Sequence, residues 1–168
     1  MLKLVKLEPK YQNQLNEMMD EWTAANEKII PWSIRKCDYH NFETYLDGLE
    51  EKEESGEKVP DSTFFCLDTQ RNIFVGAVNI RHCLNEKLLF GGGHIGDGIR
   101  PSERGKGYGT KMIALTLEEC KKLGIDRVLM CCDKDNTASA KTIIKNQGVL
   151  ENEVMDDGNL VQRYWIEI

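Results

Sequence analysis

A chain of 168 residues, 40% hydrophobic and 30% charged, is long enough to bury a substantial core without disulfides or a structural metal. Its formal charge of −6 argues against nucleic acid, whose binding rests on Lys and Arg meeting phosphates. The opening MLKLVKLEPKYQNQ lacks the apolar block of a signal peptide, and no segment reaches the roughly 18 apolar residues of a membrane helix, so a cytoplasmic protein with no membrane partner is expected.

The elements read in order from hydrophobic periodicity and turn residues. LKLVKLE (2–8) alternates as a half-buried strand does, and Pro9 ends it. Apolar residues at helical spacing predict a helix from Tyr11 to about Lys28, with a break at Pro31 and a second helix from about Asp38 to Glu50. EEKEESGEK (50–58) reads as a solvated linker. STFFCLD (62–68) and IFVGAVNIR (73–81) form a predicted hairpin, and GGGHIGDGI (91–99) a third strand closed by Pro101. A helix follows from Gly107 to Leu123, then strand 125–133, helix 136–146 and a closing hairpin of 148–155 with 160–168. The order β-α-α-β-β-β-α-β-α-β-β describes an α/β chain whose mixed sheet is flanked by helices.

Six cysteines, at 37, 66, 83, 120, 131 and 132, contain no C-x-x-C pair. Four of them lie in apolar runs, so reduced core thiols and no metal site are expected.

Eight of the fourteen glycines fall between Gly91 and Gly109. GGGHIG matches G-x-G-x-x-G, but it runs into DGIRPSE, where Gly98 and Pro101 forbid the helix that a dinucleotide site requires. RGKGYG does stand between a strand and a helix, but the third dinucleotide glycine would be Thr110. A P-loop is excluded because Gly107, and not Ser or Thr, follows Lys106. Two readings of RGKGYG remain: a tight turn that needs glycine for packing, or a helix N-terminus whose free N–H groups cradle a pyrophosphate beside Arg104.

Here the sequence resembles the GNAT superfamily of acyl-CoA-dependent N-acetyltransferases. The superfamily's pyrophosphate loop, Q/R-x-x-G-x-G/A, is matched by Arg104, Gly107 and Gly109, with Gly105 a common addition. Its second signature, an Asn three residues before a Ser or Ala, is matched by Asn136 and Ser139. LNEKLLFGGGHIG, IRPSERGKGYG and RYWIEI look like one bacterial branch. The resemblance spans roughly 62 to 168; over 1–61 only the element order agrees.

The resemblance implies one N-acetyltransferase domain over 1–168, with 1–61 on the acceptor side and 62–168 carrying acetyl-CoA. It implies a mostly antiparallel sheet of six or seven strands flanked by about four helices. Acetyl-CoA and an amine acceptor are the implied partners, in a monomer or homodimer. The cofactor would lie where strand 94–99 and strand 127–132 splay apart, against Ile99, Arg100, Arg104, Gly105, Lys106, Gly107, Tyr108, Gly109, Thr110, Asn136 and Ser139. Small residues in the first strand would let the ligand approach its backbone. The implied base is His94, whose ordinary pKa suits the task, with Asp97 and Glu103 behind it. His82 and Asn85 are candidates for shaping the acceptor pocket. One departure stands out: the tyrosine that many members use as general acid is Ile143 here. A non-catalytic acyl-CoA-binding module is the alternative.

Overall fold

The computed structural model describes all residues, 1–168. Seven strands form two sheets and every pair is antiparallel. The first sheet runs β1 (Leu2–Val5), β2 (Asp61–Asp68), β3 (Ile73–Arg81), β4 (Ile95–Ile99). The second runs β5 (Arg127–Asp133), β7 (Asn159–Glu167), β6 (Val149–Asp156). The expected single sheet is therefore parted between β4 and β5.

Five helices flank the strands: α1 (Gln12–Ala24), α2 (Trp32–Arg35), α3 (Phe42–Gly48), α4 (Tyr108–Lys122) and α5 (Thr137–Lys145). The one-turn α2 was not expected. It follows Pro31, which was read only as a break, but whose fixed φ also suits a helix start.

Each long helix uses one stripe to build a core. On α4, Met112, Ile113, Thr116, Leu117 and Cys120 are buried, and they meet Val78, Ile80, Ile95, Val128 and Met130 on one face of the strands. On α1, Leu15, Met18, Met19 and Trp22 are buried and meet Phe65, Phe74 and Ala77 on the opposite face. The sheet is thus covered on both sides, and its strands carry near-continuous apolar runs for that reason.

The third predicted strand is shorter than expected. Residues Leu88–Gly92 form a π-helical turn instead, and β4 begins only at Ile95. Gly93, at φ 72°, redirects the chain between them, and a Cβ there would stand 2.6 Å from the Leu129 carbonyl oxygen. Gly98 has a different cause from the one the resemblance implies. A Cβ at Gly98 would collide with the backbone carbonyl of Ile30, so its missing side chain admits the chain's own 30–31 loop to the face of β4 turned away from α4.

Candidate active site

Two hydrogen bonds join the start of β4 to β5. His94 donates its N–H to the Leu129 carbonyl at 2.7 Å, and its Nδ1 accepts the Leu129 N–H at 2.9 Å. Past this pin the strands diverge. Arg81 N–H bonds the His94 carbonyl at 2.7 Å and Arg100 N–H bonds that of Val75 at 2.8 Å, which sets the even-numbered residues of β4 toward β3. Antiparallel alternation then turns the amides of Ile95, Asp97 and Ile99 toward the opening. The side chains of Ile95 and Ile99 join the core beneath α4, and Asp97 shares their face.

The pin removes His94 from the role expected of it. An Nδ1 that accepts an amide hydrogen bond has no free lone pair there, and the proton of the neutral ring then sits on Nε2. His94 is 7% exposed. Burial, helped by the charge of Arg81, pushes its pKa down to about 4. His94 is a neutral strut between two sheets, not a base.

Glu103 is removed as a base as well. It is 5% exposed and takes both Arg71 Nη1 and Nη2 at 2.9 Å, with Lys106 Nζ at 3.2 Å. These hydrogen bonds, led by those from Arg71, outweigh burial and hold its carboxyl below the ordinary value. Arg71 also bonds Asp68 at 2.6 Å and the Tyr108 hydroxyl at 3.1 Å. Arg71, which sequence reasoning did not single out, ties the 103–108 loop to the β2–β3 turn.

Asp97 differs from both. It is half-buried and makes no hydrogen bond through its side chain. Burial pushes its carboxyl up to about 6 against the pull of Arg81. Across the opening, its charge helps to raise the thiol of Cys132, which burial raises first and Ser139 partly lowers. Cys132 packs in the same core as Ile95, so it stands on the side of the opening that Asp97 faces.

The glycine loop reaches that same side. Gly107, at φ 79°, is the N-cap of α4 and supplies no side-chain cap. None of the N–H groups from Gly105 to Thr110 bonds a backbone carbonyl. A row of free amides at the positive end of a 15-residue helix attracts anions. Asn136 caps α5 by accepting the Ser139 N–H at 3.2 Å. The Asn146 amide joins Thr110 O at 3.2 Å to Thr142 O at 2.9 Å, holding α4 and α5 together.

Three expected contributors point elsewhere. Arg100 pairs with Glu21 at 3.1 Å, and Glu21 also takes the Ser102 hydroxyl at 2.7 Å. Arg104 pairs with Glu27 at 2.8 Å, its guanidinium lying over Trp22 and its Nε bonded to Ile99 O. Lys106 faces Glu103. Their charges brace the loop against α1 and the β2–β3 turn, while the main chain is left to meet an anion. His82 and Asn85 are held by the β2 edge and the 51–58 segment: His82 Nε2 contacts Ser62 Oγ at 2.7 Å, and Asn85 bonds Glu57 O at 2.8 Å.

Beside Arg81, at the end of β3, lies a cavity of about 670 Å³, with Trp32, Glu51, Lys58, Asp61, Asn79 and Arg81 in its wall. Sequence reasoning missed Arg81. Its signal was two polar residues, Asn79 and Arg81, alternating at the end of an otherwise apolar strand.

Comparison with known proteins agrees with this architecture. Residues 2–148 match the Acetyltransferase (GNAT) domain family, and the chain belongs to that family. The microcin C7 self-immunity acetyltransferase MccE, solved with acetyl-CoA and AMP, superposes with a TM-score of 0.70 at 18% identity, over 99% of this chain and 92% of that one. RimL, a ribosomal L7/L12 alpha-N-protein acetyltransferase in complex with coenzyme A, gives 0.68 at 16% identity, over 99% and 94%. A spermidine N-acetyltransferase SpeG chimera from Vibrio cholerae and hSSAT gives 0.65 at 15%, over 99% and 95%. No curated protein matches by sequence. No helix is long and apolar enough to cross a membrane.

The Glu103 network yields a pH test. A carboxyl with a lowered folded pKa contributes stability above its unfolded value, near 4.3, and loses that contribution as pH falls through the folded one. Glu103→Gln is therefore expected to be destabilised most at pH 7, with its gap to the parent closing below about pH 4. Urea unfolding across that range measures the gap.

Proposed function

We propose that this GNAT acetyltransferase is an N-acetyltransferase that carries the acetyl group of acetyl-CoA to a primary amine in a ternary complex. One observation carries the reading: the opened edge of β4 runs directly into a loop of unpaired amides at the start of α4. In this reading residues 1–168 act as one domain, 1–61 facing the acceptor and 62–168 holding acetyl-CoA.

The residues present suit such a ligand. The amides of Gly105 to Thr110 would hold the pyrophosphate, and Gly105 and Gly107 have open space where side chains would stand. The β4 amides facing the opening would pair with an extended arm as a neighbouring strand does. Acetyl-CoA supplies an acetyl group activated as a thioester. The free N–H of Ile99 is a donor for an oxygen that gains negative charge.

Asp97 takes the proton. An alkylammonium is protonated at neutral pH and must lose a proton before it attacks. A carboxylate raised to about 6 is ionised at pH 7 yet basic enough to accept that proton through water in the opening. Ile143 is fully buried and supplies no acid. The departing thiol has an ordinary pKa near 8.5, so protonated Asp97 can return its proton to the thiolate, and the second proton that the nitrogen loses as the amide forms passes to water.

Purified protein with acetyl-CoA and a panel of primary amines is expected to release free thiol. Heat of binding with no thiol release from any amine would instead leave an acyl-CoA-binding module, the reading that Ile143 favours. Gly107→Val forces a β-branched residue to φ 79° and should abolish acetyl-CoA binding in calorimetry while the protein stays folded. Unchanged affinity would make the loop only a turn.

If Asp97 is the base, turnover rises with pH through about 6, as its active carboxylate forms. Amines of differing pKa shift their own limb and leave this one fixed. Asp97→Asn should remove the fixed limb and cost on the order of 10²- to 10⁴-fold in turnover. His94→Ala should keep the limb and lose about 1–3 kcal/mol of stability, because the Leu129 N–H is left without its partner. A limb that vanishes with His94 and survives Asp97→Asn would reverse the assignment.

A further inference from the structure

The wall of the cavity beside β3 holds one cation, Arg81, whose guanidinium touches no carboxylate. Glu51 is bonded by both Lys36 and Lys58, each at 3.0 Å, and Glu57 pairs with Lys87 at 2.8 Å. Arg81 has no ion pair. Its Nη1 is shared between the carbonyl oxygens of Gly92 and Gly93, both at 3.3 Å, and its Nε and Nη2 bond no protein atom. Asp61 is its cross-strand neighbour, but Asp61 Oδ1 is used to accept the Glu51 N–H at 2.9 Å. Burial, the largest influence on Arg81, disfavours its charge, while Asp61, Cys131 and Asp97 favour it from a distance.

The position of this guanidinium is as telling as its freedom. Arg81 Nη2 stands 3.2 Å from where a Cβ of Gly96 would be. It therefore lies against the face of β4 turned away from α4, beside the residue preceding Asp97. An arginine with two nitrogens free is suited to a planar anion gripped at both oxygens. A phosphate dianion would meet Glu51, Glu57, Asp61 and Asp156 around the same cavity, so the singly charged carboxylate is the better match. An anion held there also fixes how far its amine can lie from the opening.

We propose that the acceptor is a free α-amino acid or a close analogue, with Arg81 binding its carboxylate and thereby presenting the neighbouring amine to the β4–β5 opening. The proposal rests on the N-acetyltransferase reading and narrows it. A polyamine offers Arg81 no anion, and a polypeptide N-terminus offers a neutral carbonyl in place of the carboxylate. Arg81 is then a specificity-determining residue, and the cavity receives the amino acid's side chain.

The test compares, for each L-amino acid in a panel, the acid, its α-carboxamide and its decarboxylated amine, reading thiol release from acetyl-CoA. At least one acid is expected to exceed both of its counterparts by roughly 10- to 100-fold in kcat/KM, the value of a charge-assisted contact. Arg81→Gln should erase that preference, chiefly through KM, while acetyl-CoA affinity by calorimetry stays at the parental value. Because Arg81 also steadies the 92–93 turn, Arg81→Lys serves as a second variant, with part of the preference restored. Acids, amides and amines acetylated alike by the parent would overturn the proposal and leave the acetyltransferase reading standing. So would an Arg81→Gln enzyme that binds acetyl-CoA and keeps the preference. Acetyl-CoA binding with no acid acetylated overturns it too, and the absence of acetyl-CoA binding overturns both.

Discussion

The site depends on a pair of hydrogen bonds between His94 and Leu129. They join two sheets that otherwise separate, and they do so at one end of β4 only. Had β4 and β5 paired along their length, the amides of Asp97 and Ile99 would be spent within the sheet. Had they not paired at all, nothing would fix the width of the opening. The ring must stay neutral to accept the Leu129 N–H, and its burial, with pKa near 4, keeps it so at ordinary pH. Gly93 is part of the same device, since any side chain there would push β5 away.

Charge is used in the loop that follows to hold backbone in place. Arg71 and Lys106 converge on Glu103, while Arg100 is drawn back to Glu21 on α1 and Arg104 to Glu27 just beyond its end. The loop is braced from both sides, and its main-chain N–H groups are the donors left over. Preorganised amides need no rearrangement to meet an anion, which is why a helix terminus can do this work without a dedicated cation. Around the cavity beside β3, Glu51 and Glu57 already have their lysines and Arg81 keeps unspent donors.

What could be read from the sequence was whatever depends on near neighbours. The hairpin of β2 with β3, the helix after RGKGYG, and the Asn136 cap announce themselves through spacing over a few residues. The roles of His94, Glu103 and Gly98 did not, because each is decided by a distant partner: Leu129, Arg71 and Ile30. A histidine beside glycines has the right ordinary pKa for a base, yet one amide from another strand removes its lone pair. Glycines before a phosphate loop suggest room for a ligand, yet the chain fills part of that room itself. Asp97 was visible as a candidate, but its elevation to about 6 comes from burial that only the assembled sheets create. Arg81 closes an apolar strand and would have read as its solvent-exposed end.

The opened strand edge is the centre of this account, and amide hydrogen exchange with and without acetyl-CoA probes it residue by residue. In the free protein the amides of His94 and Leu129 should already be protected, with those of Asp97, Ile99 and 105–110 exchanging faster. Saturating acetyl-CoA should slow exchange at Asp97, Ile99 and 105–110 together and leave 91–93 unchanged. Protection confined to 91–93, or none along β4, would contradict it.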